Sequence, residues 1–146
     1  MAIVATLSNH YKKQLLAKLI DLANDTFKII LVDTSFVFDK DAHATLNDVI
    51  ASPSPELATA NGYTQQNKAL SGGALTEDDV NDKAYREFDD VTWAASGGAI
   101  GPTGAAIIYD GTTADKTVVG CIDYGADYTI PDGSSLQLQD IRIENT

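Results

Sequence analysis

Residues 87–111 read EFDDVTWAASGGAIGPTGAAIIYDG and hold the two arrangements in this chain that most invite a chemical reading. One is a pair of adjacent carboxylates, Asp89 and Asp90. The other is a cluster of glycines, Gly97, Gly98, Gly101 and Gly104. Paired carboxylates serve hydrolases as acid and base when they converge across a cleft from separate elements, one with its pKa raised by burial. Neighbours along a strand point to opposite faces, so Asp89 and Asp90 do not share a proton there. A glycine loop cradles phosphate when Gly-Lys-Ser/Thr runs into a helix, or when a strand precedes it and a helix follows. Here no lysine follows, Pro102 lies inside, and the next residues, AAIIYD, read as a strand. The stretch therefore predicts strand, bulge or tight turn at the acidic pair, strand, and a flexible Gly/Pro connection.

The remaining candidates are weighed in the same way. DKDAH (Asp39, Asp41, His43) and EDDVND (Glu77, Asp78, Asp79, Asp82) are oxygen-rich loops of the kind that bind Ca²⁺. Both lack the glycine and the distal glutamate of an EF-hand, so each reads as a solvated acidic face. His10 and His43 are the only histidines and are not spaced as a helical ligand pair. Ser and Asp are abundant enough for a triad, but nothing resembles Gly-x-Ser-x-Gly. Cys121, the only cysteine, lies within TVVGCIDY and reads as a small buried hydrophobe; one cysteine forms neither an intrachain disulfide nor a multi-cysteine metal site. Trp93, Tyr109 and Tyr124 sit in or beside apolar strand patterns, which makes them core rather than a stacking platform. No catalytic, cofactor-binding or metal-binding residue is assigned.

The elements that would position these groups follow from periodicity. Residues 8–24 predict one amphipathic helix, with Tyr11, Leu15, Leu16, Leu19, Ile20 and Ala23 on an apolar stripe, Ser8 as N-cap and Asn24-Asp25 as stop. TFKIILVD, residues 26–33, predicts a central strand apolar on both faces: Phe27, Ile29 and Leu31 one way, Ile30 and Val32 the other. Residues 34–61 are mostly a long loop, with a short helix near Thr45–Ile50 and two prolines that exclude a central strand. From Tyr63 onward the pattern is strand and turn. GYTQQNKALSGG reads as a polar strand; KAYREF and VTWAA flank the acidic pair with a slip of phase. AAIIYDGTTADKTVVGCIDY has the form of a hairpin. SSLQLQDIRI alternates, breaks near Asp140 and resumes. The fold class expected is mainly β (α+β): a single domain over 1–146, an antiparallel β-sandwich or barrel-like body with one N-terminal helix packed on it and residues 1–7 as an N-terminal arm.

Bulk composition narrows the partners. The chain has 146 residues, 44% of them hydrophobic, and a net charge of −11. That is enough for one core, and its charge repels nucleic-acid phosphate and anionic membranes alike. No run approaches the ~18 apolar residues of a spanning helix. In MAIVATLSNHYKK the lysines come after the apolar patch, the reverse of a signal peptide, so synthesis and assembly in a cytoplasm are expected.

The order of segments resembles a family of small virion proteins of tailed bacteriophages. Its members read as helix, a Leu-x-x-Asp-Thr-Ile-Lys-Val-Ala-Leu strand, Gly-Tyr-Thr, Phe-Asp-Ala-Asp-Asp-Val-Thr-Trp, an Ile-Tyr-Asp strand and Ile-Asp-Phe-Gly. Here Asp25–Leu31, Gly62–Thr64, Phe88–Trp93, Ile108–Asp110 and Ile122–Gly125 carry the likeness, which spans nearly the whole chain. The loop 51–61 and the bridge 97–104 fit it least. The resemblance implies a non-enzymatic structural role as a head-decoration, minor capsid or tail-associated protein, and brings no catalytic residue or cofactor with it.

Three functional expectations follow. The first is a decoration or cement protein on the outer surface of the phage shell, with the major capsid protein and other copies of itself, a trimer for instance, as partners. On this reading the apolar arm Met1, Ala2, Ile3, Val4, Ala5, Thr6 and Leu7 forms part of an interface, by adding a strand to a neighbouring edge. The second is a tail- or neck-associated virion protein. The third, from another class, is a carbohydrate-binding or hydrolase module, and it requires Trp93 exposed.

Overall fold

The computed structural model describes residues 3–146. The chain begins with two very short strands, β1 (Ile3–Val4) and β2 (Thr6–Leu7), and a helix, α1 (Asn9–Leu16). Strand β3 (Phe27–Val32) and helix α2 (Leu46–Ile50) follow, then a run of strands: β4 (Leu75–Asp78), β5 (Lys83–Glu87), β6 (Val91–Ala94), β7 (Ile100–Asp110), β8 (Val118–Ile130), β9 (Ser135–Leu138) and β10 (Ile141–Asn145). They form two four-stranded sheets, β1-β10-β5-β4 and β2-β8-β7-β3, and a β6-β9 pair. All pairings between named strands are antiparallel except β1 with β10. The expected mainly β, sandwich-like α+β fold with an N-terminal helix is what the chain adopts.

The β2-β8-β7-β3 sheet is apolar on both faces, as the residues of 26–33 require. Phe27, Ile29, Leu31, Ala106, Ile108, Val119 and Ile122 pack inward against Ile141 and Ile143 of β10 and against Val91, Trp93 and Leu138 of the β6-β9 pair. Ile30, Val32, Ala105, Ile107, Tyr109, Val118 and Cys121 pack outward against Leu46 and Val49 of α2. The register shift at Ile108/Tyr109 pairs Ile108 with Gly120 and Tyr109 with Val118, so Val119 has no partner. That bulge re-phases β8, letting residues on either side of it reach both layers.

Four sequence expectations are corrected. Strand β3 is the outer strand of its sheet, not a central one. Its free edge is covered by two loop segments, with Leu57 N–H donating to Leu31 O (3.0 Å), Asp33 N–H to Pro55 O (2.8 Å) and Leu70 N–H to Phe27 O (2.8 Å). Covering an edge with loops blocks further pairing there. Residues 63–73 accordingly form turns and isolated bridges rather than a polar strand. At the acidic pair, expected as a bulge or tight turn, the chain leaves one sheet after β5 and enters the β6-β9 pair at Val91. Phe88 and Val91 are buried on either side, while Asp89 and Asp90 are exposed. Much of the Gly/Pro bridge is strand, since β7 starts at Ile100 and runs through Gly101, Pro102 and Gly104 with shifts of register against β8.

The helix is also shorter than the stripe predicts. It ends at Leu16, where Lys18 takes a left-handed φ of 62°. Lys18 N–H donates to Leu15 O (3.1 Å) and Leu19 N–H to Gln14 O (3.0 Å), the two bonds of a Schellman cap. Leu16 and Leu19 are left on the surface, while Ile20 turns back into the core.

Candidate interaction surface and buried carboxyl groups

The arm is built into its own chain. Ile3 and Val4 pair with Ile141 and Arg142 of β10, and Thr6 and Leu7 pair with Cys121 and Gly120 of β8. The strand passes from one sheet to the other at the buried Ala5. Gly120 makes this crossing possible: a Cβ there would stand 2.3 Å from the Thr6 carbonyl oxygen. At the end of the arm Ser8 caps α1, accepting from Tyr11 N–H (3.0 Å) and donating to Val118 O (2.6 Å). Met1 and Ala2, also expected in the interface, lie outside the described residues.

Beside the arm runs an open groove of about 490 Å³, between Val4 to Leu7, the Lys12–Leu16 face of α1, Lys40 and the end of β10. Val4 is 46% exposed and Leu16 86% exposed, so the groove presents apolar surface, with Lys12, Lys40 and the Lys83-paired Glu144 along it. On the far side of β10 the β4–β5 hairpin carries Glu77, Asp78, Asp79 and Asp82, with Val80 at its tip 90% exposed. A shallow depression of about 850 Å³ lies along the hairpin. Asn145 lines both features, and Lys83, next to the turn of the hairpin, binds Glu144 of the groove at 3.0 Å.

The other chemical candidates are scattered. His10 meets Asp115 at 2.8 Å, whereas His43 accepts from Asp39 N–H at 2.9 Å. The oxygens of DKDAH build their own turn: Asp39 accepts from Asp41 N–H and Ala42 N–H, and Asp41 accepts from Asn9 and Lys40. Those bonds to Asp41 and Ala42 hold the Asp39 carboxyl below the usual carboxylate range. Asp78 likewise binds Asn81, which lowers its pKa. Among the described residues no group of three or more His, Cys, Asp or Glu side chains is placed to hold a metal ion. Trp93 is 2% exposed, with Lys68 against its ring, and so offers no platform to a sugar. Burial pushes the Cys121 thiol up to about 12, which leaves it protonated and unreactive.

Two buried carboxyl groups were not flagged by the sequence. Glu56, 6% exposed, is the centre of the clamp that holds the loop over β3. Its Oε1 accepts from Tyr63 OH (2.9 Å) and Gln66 N–H (2.8 Å), and Tyr63 OH in turn accepts from Leu31 N–H (3.0 Å). Burial, with Glu56 nearby, raises the Tyr63 hydroxyl well above its ordinary range. Asp110, fully buried at the end of β7, accepts from Thr112 N–H (2.8 Å) through Oδ1, while Oδ2 has no partner. Burial, reinforced by the carboxyl of Asp25, lifts its pKa to about 7. The only signal for Asp110 was its Asp-Gly turn dipeptide, and turn composition does not announce burial.

Comparison with protein-family models, with curated proteins and with solved structures returns no match to this chain. No helix among the described residues is long and apolar enough to cross a membrane.

Proposed function

We propose that this chain is a non-enzymatic structural protein of a tailed-bacteriophage virion, a decoration or cement protein docked on the outer face of the major capsid shell. The observation that carries the reading is where the residues of the resemblance lie. Its apolar residues, Phe27, Ile29 and Leu31, then Phe88, Val91 and Trp93, then Ile108, Tyr109 and Ile122, are buried framework positions, while its polar residues such as Asp89, Asp90, Thr92 and Asp123 are exposed. The buried Tyr63 of the Gly-Tyr-Thr turn ties that framework to its covering loop. The likeness is thus to a scaffold, and a scaffold shared without a site suits a protein that acts by occupying a place in an assembly.

The surface agrees with that role. Net charge of −11 opposes contact with packaged nucleic acid and favours a water-facing position. The chain adds to the shell as a closed oligomer, with the major capsid protein as its other partner. The test is add-back: purified chain incubated with phage particles that lack it, followed by sedimentation and cryo-electron microscopy. Regular density outside the shell supports the proposal. Density confined to the neck or tail moves the chain to the tail-associated reading, and failure to bind any particle removes both.

A further inference from the structure

We propose that the apolar groove beside α1 is the docking site for the acidic β4–β5 hairpin of a second copy of this chain. The groove is lined by the apolar side chains of Val4, Leu15 and Leu16, by the cations Lys12 and Lys40, and by Glu144, whose charge Lys83 already pairs. Lys12 makes no ion pair among the described residues, and Lys40 meets only the exposed Asp41. Exposed apolar side chains beside two cations suit a contact with a partner of opposite charge. An acidic segment tipped with an apolar side chain complements it.

The chain carries such a shape. In the β4–β5 hairpin Val80 stands at the tip, 90% exposed, and Glu77 and Asp79 are exposed beside it. Leu75, 51% exposed, extends the apolar surface down the open edge strand β4. Seating Val80 on Leu16 sets Glu77 and Asp79 against Lys12 and Lys40, so opposite charges meet around an apolar centre. The hairpin cannot fold into its own groove, because β10 and β5 stand between the two.

Position gives the symmetry. Hairpin and groove flank the same end of β10 and share Asn145 as a border. Each copy therefore gives one hairpin and receives one, and the smallest closed assembly that fills both sites is a two-fold dimer with the contact made twice. This contact involves no shell protein and stands whether or not the virion reading holds.

Sedimentation equilibrium on the full chain tests it with charge reversal. One variant carries Lys12→Glu and Lys40→Glu, the other Glu77→Lys and Asp79→Lys; all four positions are exposed, and circular dichroism checks that both variants fold. The wild-type chain is expected to associate and each variant alone to be monomeric. An equal mixture of the two is expected to recover the wild-type mass, because both hairpin–groove contacts of a mixed pair regain opposite charges. A closed ring dispersed by the same substitutions keeps the contact with a different symmetry. A monomeric wild-type chain, variants that associate as wild type does, or a mixture that stays monomeric overturns the proposal. If a charge variant does not fold, Val80→Ser and Leu16→Ser replace it; either is expected to weaken association at least tenfold, and an unchanged constant overturns the proposal.

Discussion

Asp110 shows what one buried group does to the whole chain's response to pH. Its folded pKa of about 7 lies above the 3.8 of an ordinary aspartate, so the folded state holds a proton that the unfolded state has released. Stability from this group is present below the ordinary aspartate pKa and is lost as pH rises through the raised folded pKa. In Asp110→Asn the amide oxygen keeps the bond from Thr112 N–H, and no second charge forms near Asp25. This variant is expected to abolish that slope and to be the more stable protein at pH 8, measured by urea unfolding from pH 4 to 8. A wild-type profile flat over that range would contradict the assignment. Tyr63→Phe works the other way: it strips the Leu31 N–H and the Glu56 carboxylate of a buried partner, and is expected to cost about 1–3 kcal/mol.

At the scale of elements, strands were legible where alternation ran without interruption, and boundaries were not. The two-faced pattern of 26–33 placed each side chain of β3 on the correct face. The hairpin of β7 and β8, the break near Asp140 and the α2 helix after Thr45 were legible for similar reasons. The helix α1 was over-extended because its stop lacks the usual signal: the left-handed position holds Lys18, where a glycine would have marked the end. Lys18→Gly is accordingly expected to stabilise the chain by roughly 0.5–1 kcal/mol by relieving that conformation, read from the midpoint of thermal unfolding. The segment 63–73 looked like a strand by composition and became a turn because its partner edge takes only single bonds from it. The arm's place in both sheets rests on Gly120, whose role is a close approach that one sequence does not display. Gly120→Ala is expected to drive Thr6 off β8 and to destabilise the protein by more than about 2 kcal/mol, with amide exchange rising first at Thr6 and Leu7.

For the whole molecule, charge and hydropathy settled the class of object and left its neighbours open. A net charge of −11 and 44% hydrophobic residues fit one acidic globular body, and the structure builds it from two sheets and a strand pair around a shared core. The groove and the hairpin were only half legible. The sequence marked the arm as apolar and the 77–82 loop as acidic, but it could not show that both border the end of β10. The arm pairs with both sheets, so deleting it would change the fold as well as any contact; point changes at exposed residues are the cleaner probe. Val4→Asp is expected to leave the unfolding free energy within about 0.5 kcal/mol of wild type and to weaken association. The central claim is that this protein works by taking a fixed place on a phage shell. The most direct measurement is a cryo-electron microscopy map of virions produced with the chain present. The account predicts this fold as ordered density repeated over the outer capsid surface in a fixed ratio to the shell protein; a capsid surface bare of it, in particles that package and infect normally, would contradict the claim.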